Sequence, residues 1–196
     1  MKGDERVVFG PDIETYGEDS LNPFKSKIIT IQLRKEGKNH IWKEWEMGER
    51  DMLRDFLKFW SKLPRSKKKN GFTFLGYNLL KFDIPFILIR SRILGLEEYG
   101  WSWERLWGEL VHGPHYIDLY QFLGDNFKKF AKWKECLLGE YSKYSNKDIK
   151  KFYKKREFSK IEKYVNDELE SFEKIYEAIK KEKFYQELMA LMNRLG

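Results

Sequence analysis

The feature that most constrains this chain is a short apolar run ending in two carboxylates, VVFGPDIET, at residues 7–15. The apolar residues predict a strand, and successive side chains of a strand point to opposite faces. Asp12 and Glu14 then share one face, whereas Ile13 points to the other. Neighbouring carboxylates repel each other unless a cation lies between them, and a divalent cation with oxygen ligands is the usual solution. The run therefore indicates either a metal site or a strand that enters a polar turn, where both acids are solvated.

The composition is typical of a globular protein. The chain has 196 residues, 41% of them hydrophobic and 17% aromatic, and we predict a single domain over residues 1–196. The net charge of +7 suits a polyanionic partner, although a basic surface also favours solubility. The single cysteine excludes an internal disulfide and a cysteine-based zinc cluster. His112 and His115 flank a Gly-Pro turn without a third nitrogen or sulfur ligand nearby, so we interpret them as surface residues.

Hydropathy predicts a cytoplasmic protein. The N-terminus is charged and lacks the apolar segment of a signal peptide. No apolar stretch of the sequence reaches the ~18 residues needed to cross a membrane. We therefore expect no membrane partner.

Apolar periodicity predicts the alternating strands and helices of an α/β protein. The first three predicted strands follow one another closely, which suggests an antiparallel meander. The fourth is largely apolar and is expected near the centre of the sheet. Residues 116–120 fit either a fifth strand or the start of a helix. The predicted strands cover residues 6–9, 28–33, 40–45 and 72–75, and the predicted helices cover residues 49–63, 84–94, 160–180 and 184–195.

Further acidic residues stand beside these elements. Asp83 directly precedes the predicted helix 84–94, where an N-cap belongs, but N-capping leaves Asn78 unexplained. Another acidic position is Asp167 or Glu168. Carboxylates from distant parts of a sequence suit a two-metal phosphoryl-transfer site, and oxygen ligands fit Mg²⁺ or Mn²⁺ rather than zinc.

Residues 127–163 interleave lysines with aromatic side chains. Such a segment suits phosphate contacts combined with base stacking, and Trp133 is a candidate for stacking. The alternative is a set of helices with aromatic cores and lysine-rich outer faces. The aromatic residues are Phe127, Phe130, Trp133, Tyr141, Tyr144, Phe152, Tyr153 and Phe158.

Three segments resemble the motifs of the DnaQ-like, or DEDD, 3′–5′ exonucleases. Residues 9–15 (FGPDIET) look like the first motif, residues 76–85 (GYNLLKFDIP) like the second, and the helix over residues 161–176 like the third. Residues 117–120 (IDLY) resemble a segment that follows the second motif in the proofreading domains of family B polymerases.

This resemblance implies a ribonuclease H-like fold: a mixed five-stranded sheet, its first three strands antiparallel, flanked by helices. It implies hydrolysis from the 3′ end of single-stranded DNA, two Mg²⁺ or Mn²⁺ ions, and Asp12, Glu14 and Asp83 as metal ligands. The chain looks most like small stand-alone archaeal members of the family. Some of these are trimers, so the resemblance suggests a homo-oligomer and a role in DNA repair.

The third motif leaves the last ligand open between Asp167 and Glu168. The family places a tyrosine four residues before an aspartate. Here Tyr164 lies four residues before Glu168 but three before Asp167, and Lys163 lies four before Asp167. At ~100° per residue, the apolar stripe of this helix centres near Glu168, where an unpaired acid is unfavourable. We therefore favour Glu168 as ligand with Tyr164 as the catalytic tyrosine, retain Asp167, and consider Asp118 next.

Two other functions fit the same residues. One is a non-catalytic module that binds single-stranded nucleic acid on the same fold, against which the intact Asp12, Glu14 and Asp83 argue. The other is a ribonuclease of this fold, because nothing in the sequence shows whether a 2′-OH is recognised.

Overall fold

The computed structural model describes residues 6–64, 71–123, 134–139 and 143–181. The predicted helix over residues 184–195 and Trp133 lie outside these residues. A five-stranded sheet forms the centre of the protein. Its strands are β1 (Arg6–Gly17), β2 (Ser26–Lys35), β3 (Lys38–Lys43), β4 (Phe72–Gly76) and β5 (His115–Asp118).

The strand order is β3-β2-β1-β4-β5, and the sheet is mixed. β1 pairs antiparallel with β2, and β2 pairs antiparallel with β3. β4 runs parallel to β1 on one side and to β5 on the other. The antiparallel meander and the inner position of the apolar fourth strand are therefore confirmed.

Seven α-helices occur in the described residues, together with shorter turns. The chain also forms a 3₁₀ turn at Leu96–Tyr99 and π-helical turns at Leu79–Asp83, Gly108–His112 and Lys134–Leu138. The helices are α1 (Glu44–Met47), α2 (Glu49–Trp60), α3 (Ile84–Ile93), α4 (Trp103–Trp107), α5 (Leu119–Leu123), α6 (Asn146–Lys154) and α7 (Phe158–Lys181).

Helices cover both faces of the sheet, which makes the protein α/β as predicted. On one face, α2 and α3 pack on a large core that includes Val8, Ile13 and Phe74. On the other face, α7 packs on Phe9 and on Ile29 in two smaller clusters. The buried residues of α7 are Ile161, Tyr164, Val165, Leu169, Ser171, Phe172, Ile175 and Tyr176, close to the predicted apolar stripe.

Several boundaries differ from the predictions, most of all that of β1, which runs to Gly17 and not to residue 9. The third strand ends at Lys43, because Trp45 lies on α1 and stacks on Phe158 at 4.6 Å between ring centroids. Residues 116–120 contain the end of a strand and the start of a helix, because β5 ends at Asp118 and α5 begins at Leu119. Tertiary packing therefore accounts for the end of the third strand.

One extra residue in β1 decides which way the first acidic residue points. The pairing passes from Phe9 with Arg34 to Asp12 with Gln32, so three residues of β1 advance against two of β2. This bulge reverses the alternation and leaves Phe9 and Asp12 on the face covered by α7. Gly10 has a φ of +107°, and a Cβ there would lie 2.8 Å from the Gln32 carbonyl oxygen. Only glycine fits this position without strain.

Within the described part of the chain, none of the helices combines the length and the apolar character needed to cross a membrane.

Candidate metal centre

Three carboxylates from two elements meet between β1 and α7. Asp12 and Glu14 come from β1, and Glu168 comes from α7. One oxygen of each lies within 4.8 Å of the corresponding oxygens of the other two. Glu14 is buried, whereas Asp12 and Glu168 keep part of their surface open to solvent. The three carboxyl groups therefore form an acidic cluster that is partly open to solvent.

Burial raises the pKa values of these carboxyl groups. Desolvation raises the pKa of Asp12 to about 6, against a hydrogen bond from Gln32 that lowers it. Desolvation and then the charge of Asp12 raise the pKa of Glu168 to about 8. The pKa of Glu14 is raised well above its ordinary value, first by burial and then by the charge of Glu168. The cluster accordingly favours protons or cations.

Asp83 borders this cluster. Its carboxylate accepts a hydrogen bond from the backbone N–H of Ile13 at 3.1 Å, and it makes no capping bond to α3 in the described structure. The N-cap interpretation of Asp83 is therefore not supported. Burial, followed by the charge of Asp12, raises the pKa of Asp83 well above its ordinary value. The π-helical turn Leu79–Asp83 brings this side chain back towards β1.

The two acids of the third motif lie in different environments. The Glu168 carboxylate accepts a hydrogen bond from Tyr164, whose own pKa is raised by burial. Asp167 is exposed, and its backbone carbonyl accepts a hydrogen bond from the Ser171 hydroxyl at 2.6 Å. Lys163 is exposed as well. The geometry thus brings Glu168 and Tyr164 to the cluster and leaves Asp167 outside it.

Asp118 does not join the three carboxylates. Its Oδ1 accepts hydrogen bonds from the backbone N–H groups of Asn78 at 2.8 Å and Tyr120 at 3.0 Å. Its Oδ2 accepts from the N–H of Leu80 at 2.9 Å. Asn78 is left-handed, with a φ of +62°, and it precedes the turn that carries Asp83. Asp118 therefore holds the backbone that positions Asp83.

Two polar residues of β2 border the cluster and were not predicted from the sequence. Gln32 and Thr30 pair across the strands with Asp12 and Glu14, and both are fully buried. Gln32 Nε2 donates to Asp12 Oδ2 at 2.6 Å. Among the residues that the structure describes, Thr30 Oγ1 and Gln32 Oε1 have no hydrogen-bond partner. Their signal in the sequence was a pair of polar residues two apart in an otherwise apolar strand.

Lys134 also lies near the cluster and was not predicted from the sequence. This lysine is only 5% exposed, on the π-helical turn Lys134–Leu138 that packs against α7. Its positive charge lowers the pKa of Glu168. A sequence rich in lysine offers no local signal that distinguishes this one from its solvated neighbours.

The chemistry of the donor set fits a hard divalent cation. The three convergent ligands are all carboxylates, which suit Mg²⁺ or Mn²⁺ and do not suit a zinc site based on histidine or cysteine. A bound cation would neutralise the charge of these buried acids, whose pKa values are raised without it. The unpaired oxygens of Thr30 and Gln32 lie on the neighbouring strand.

The fold is similar to that of solved structures. One is the family B DNA polymerase from the hyperthermophilic archaeon Pyrobaculum calidifontis, with a TM-score of 0.63 and 18% sequence identity. The chain has a ribonuclease H-like fold. The similarity covers 89% of this chain and 24% of the polymerase chain, so this chain spans about a quarter of that protein's length. Neither protein-family models nor curated proteins match the sequence at a significant level.

Proposed function

We propose that this protein is a metal-dependent 3′–5′ exonuclease acting on single-stranded DNA. The observation that carries the proposal is the convergence of Asp12, Glu14 and Glu168, with Asp83 beside them. Support comes from the three motif resemblances in the sequence. The likeness to a family B polymerase adds support for the fold on which these motifs occur in proofreading domains.

Four carboxylates would hold the metal ions: Asp12, Glu14, Asp83 and Glu168. Two bound Mg²⁺ or Mn²⁺ ions would supply a water of lowered pKa and stabilise the leaving oxygen. Gln32 donates to Asp12 and so fixes the direction of its oxygens. In the reaction, water adds to the terminal phosphorus and the bond to the preceding 3′ oxygen breaks. The products are a nucleoside 5′-monophosphate and a strand shortened by one nucleotide.

Tyr164 is suited to orienting water rather than accepting its proton. Burial raises the pKa of its hydroxyl, so the group stays protonated at neutral pH. A neutral hydroxyl that donates to Glu168 keeps its lone pairs for a water or a phosphate oxygen. Lys134 adds a positive charge near Glu168, where negative charge develops on the phosphate.

The test is hydrolysis of 20-nucleotide strands carrying a 5′ label, as DNA, RNA and duplex DNA, with Mg²⁺, Mn²⁺ or EDTA. We expect single-stranded DNA to shorten in steps of one nucleotide from its 3′ end, with either metal and not with EDTA. Faster degradation of RNA would favour the ribonuclease alternative. Binding without product on any substrate would favour the non-catalytic module and contradict the proposal.

The matched control is the pair Asp12→Ala and Asp167→Asn. Asp12→Ala removes a carboxylate of the cluster and should abolish cleavage, whereas Asp167→Asn changes an exposed side chain and should not. The homo-oligomer, the cytoplasmic location and the role in DNA repair stay predictions, and gel filtration with light scattering would test the first of them.

A further inference from the structure

Positive charge is concentrated in one described segment. Residues 143–163 contain nine Lys or Arg and three Asp or Glu, a net charge of +6, against +7 for the whole chain. This segment comprises α6, the connection to α7 and the first turns of α7. The rest of the chain is therefore nearly neutral in sum, with a net charge of +1.

In helix α6 the exposed lysines and the buried apolar residues lie on opposite sides. Lys147, Lys151 and Lys154 recur at helical spacing and are exposed. The opposite side of the helix carries Ile149, which is 1% exposed, and Phe152, which packs in the same cluster. We call the three exposed lysines the α6 lysine stripe. Packing holds the helix in place and leaves the stripe facing solvent.

Little negative charge opposes this stripe. Asp148 accepts hydrogen bonds from the Ser145 N–H at 3.0 Å and the Ser145 hydroxyl at 2.7 Å, as part of the helix cap. It also lies 3.5 Å from Lys151. Lys147 and Lys154 have no carboxylate partner in the described parts of the chain. Lys147 and Lys154 are thus available to an external anion, and Lys151 would exchange its solvent-exposed ion pair with Asp148 for one.

The aromatic rings of this segment are used in packing. Tyr144 packs edge-on against Phe152 at 5.0 Å, and Tyr153 packs against Tyr16 at 4.6 Å between ring centroids. Phe158 stacks on α1. For these rings the packing interpretation of the sequence is correct, while Phe127, Phe130, Trp133 and Tyr141 lie outside the described residues. The stripe therefore offers charge without stacking, which suits phosphates and not bases.

The stripe lies beside the carboxylate cluster. Tyr153 of α6 contacts Tyr16, which follows Glu14 by two residues on β1. Ile149 of α6 belongs to the same buried cluster as Tyr164 of the candidate site. Helix α6 therefore packs directly on the two elements, β1 and α7, that carry the carboxylates.

We propose that the α6 lysine stripe binds the phosphate backbone of the nucleotides that precede the 3′ end held at the carboxylates. This inference rests on the proposed function, because that function places the 3′ end of the strand at the carboxylates. The contact itself is inferred from the charge of the stripe and from its place beside the cluster. Because only phosphates are bound, the stripe acts on single strands of any sequence. It increases the residence time of long strands on the protein, and the carboxylates carry out the cleavage step.

The test is binding of a fluorescein-labelled 20-nucleotide single strand to Asp12→Ala protein, followed by anisotropy as salt rises from 50 to 200 mM. One variant adds Lys147→Gln, Lys151→Gln and Lys154→Gln. The control instead adds Lys38→Gln, Lys58→Gln and Lys62→Gln, three exposed lysines on other elements that remove the same charge. Circular dichroism verifies that both variants are folded.

Each phosphate contact contributes about 0.7 to the slope of log affinity against log salt on a single strand. Removing three should lower the slope by about 2, so the fourfold rise in salt should weaken the parent about 20-fold more than the stripe variant. The control should keep the parent slope. Equal slopes for stripe variant and control would overturn the inference, whether or not the protein cleaves DNA.

A second readout separates this inference from the proposed function. In the otherwise wild-type protein with Mn²⁺, the stripe variant should raise KM for the 20-nucleotide strand by about tenfold or more and leave kcat unchanged. Turnover of a dinucleotide should not change, because its only phosphodiester is the one that is cleaved and none remains for the stripe. A fall in kcat on both substrates would show that the lysines act on the cleavage step and would overturn the inference. A binding difference without any hydrolysis would sustain the inference while contradicting the proposed function.

Discussion

Exchanging Glu168 for glutamine should change activity and stability in opposite directions. Glu168→Gln removes a carboxylate that lies within 4.8 Å of Asp12 and Glu14. Asp167→Asn changes the next residue of the same helix, whose side chain is exposed. If Glu168 is the last ligand, its loss should lower turnover at least ~100-fold, since a metal ligand contributes several kcal/mol to the transition state. Asp167→Asn should remain within about threefold of the wild type.

The stability effect follows from the buried charge. Burial and the neighbouring Asp12 raise the pKa of Glu168 from 4.5 to about 8. At pH 7 the metal-free folded protein therefore binds a proton that the unfolded chain releases, which costs roughly 3 kcal/mol. Glutamine is a neutral isostere of the protonated acid and removes this cost. We expect the Tm of metal-free Glu168→Gln to rise by roughly 5–10 °C.

The assay pairs thermal unfolding in EDTA at pH 7, followed by circular dichroism, with turnover of a 5′-labelled strand at saturating Mn²⁺. Wild type, Glu168→Gln and Asp167→Asn are compared in parallel. The reasoning is refuted if Asp167→Asn loses turnover and Glu168→Gln keeps it. It is also refuted if Glu168→Gln is less stable than wild type, because Glu168 would then be stabilising in its ionised form.

Three further predictions concern other residues and pH. Asp118→Ala should weaken Mn²⁺ affinity about tenfold with Asp118→Asn intermediate, because asparagine retains an acceptor for two of the three backbone N–H groups; equal calorimetric affinities would contradict the positioning role. Lys134→Gln should lower kcat about 10–100-fold and leave KM nearly unchanged, whereas a change in KM alone would assign the lysine to ground-state binding. The Tm of the protein in EDTA should fall as pH rises from 5 to 9, because the folded-state pKa values of Asp12 (about 6) and Glu168 (about 8) exceed the ordinary 3.8 and 4.5. The folded state is favoured fully below the ordinary pKa values, and this advantage is lost as the pH rises through the raised pKa values. A Tm that rises with pH would contradict this prediction.

Local pattern predicted most of the architecture. The apolar runs of β2 and β4 follow from burial on both faces of the sheet, and the stripe of α7 follows from burial of one face of the helix. Both patterns are visible in a short window of sequence. The same stripe placed Glu168 towards the sheet and Asp167 towards solvent, as the structure does. The boundary at Lys43 could not be read in this way, because Trp45 leaves the strand to stack on Phe158, far along the chain.

The details of the site depend on contacts that a sequence window does not contain. The bulge at Gly10 reverses the alternation of β1, so the side to which Asp12 points depends on pairing with β2. Gln32 and Lys134 acquire their roles only by meeting Asp12 and Glu168 across other elements. Asp118 illustrates the same limit, since its three backbone partners come from two separate segments.

Anomalous diffraction from crystals soaked in Mn²⁺ at pH 8 tests most directly whether the carboxylate cluster is a metal centre. We expect two anomalous peaks within ligand distance of carboxylate oxygens from Asp12, Glu14, Glu168 or Asp83, with both peaks absent from Asp12→Ala crystals. A map without a peak at this cluster, in crystals that remain ordered and bind Mn²⁺ elsewhere, would contradict the account.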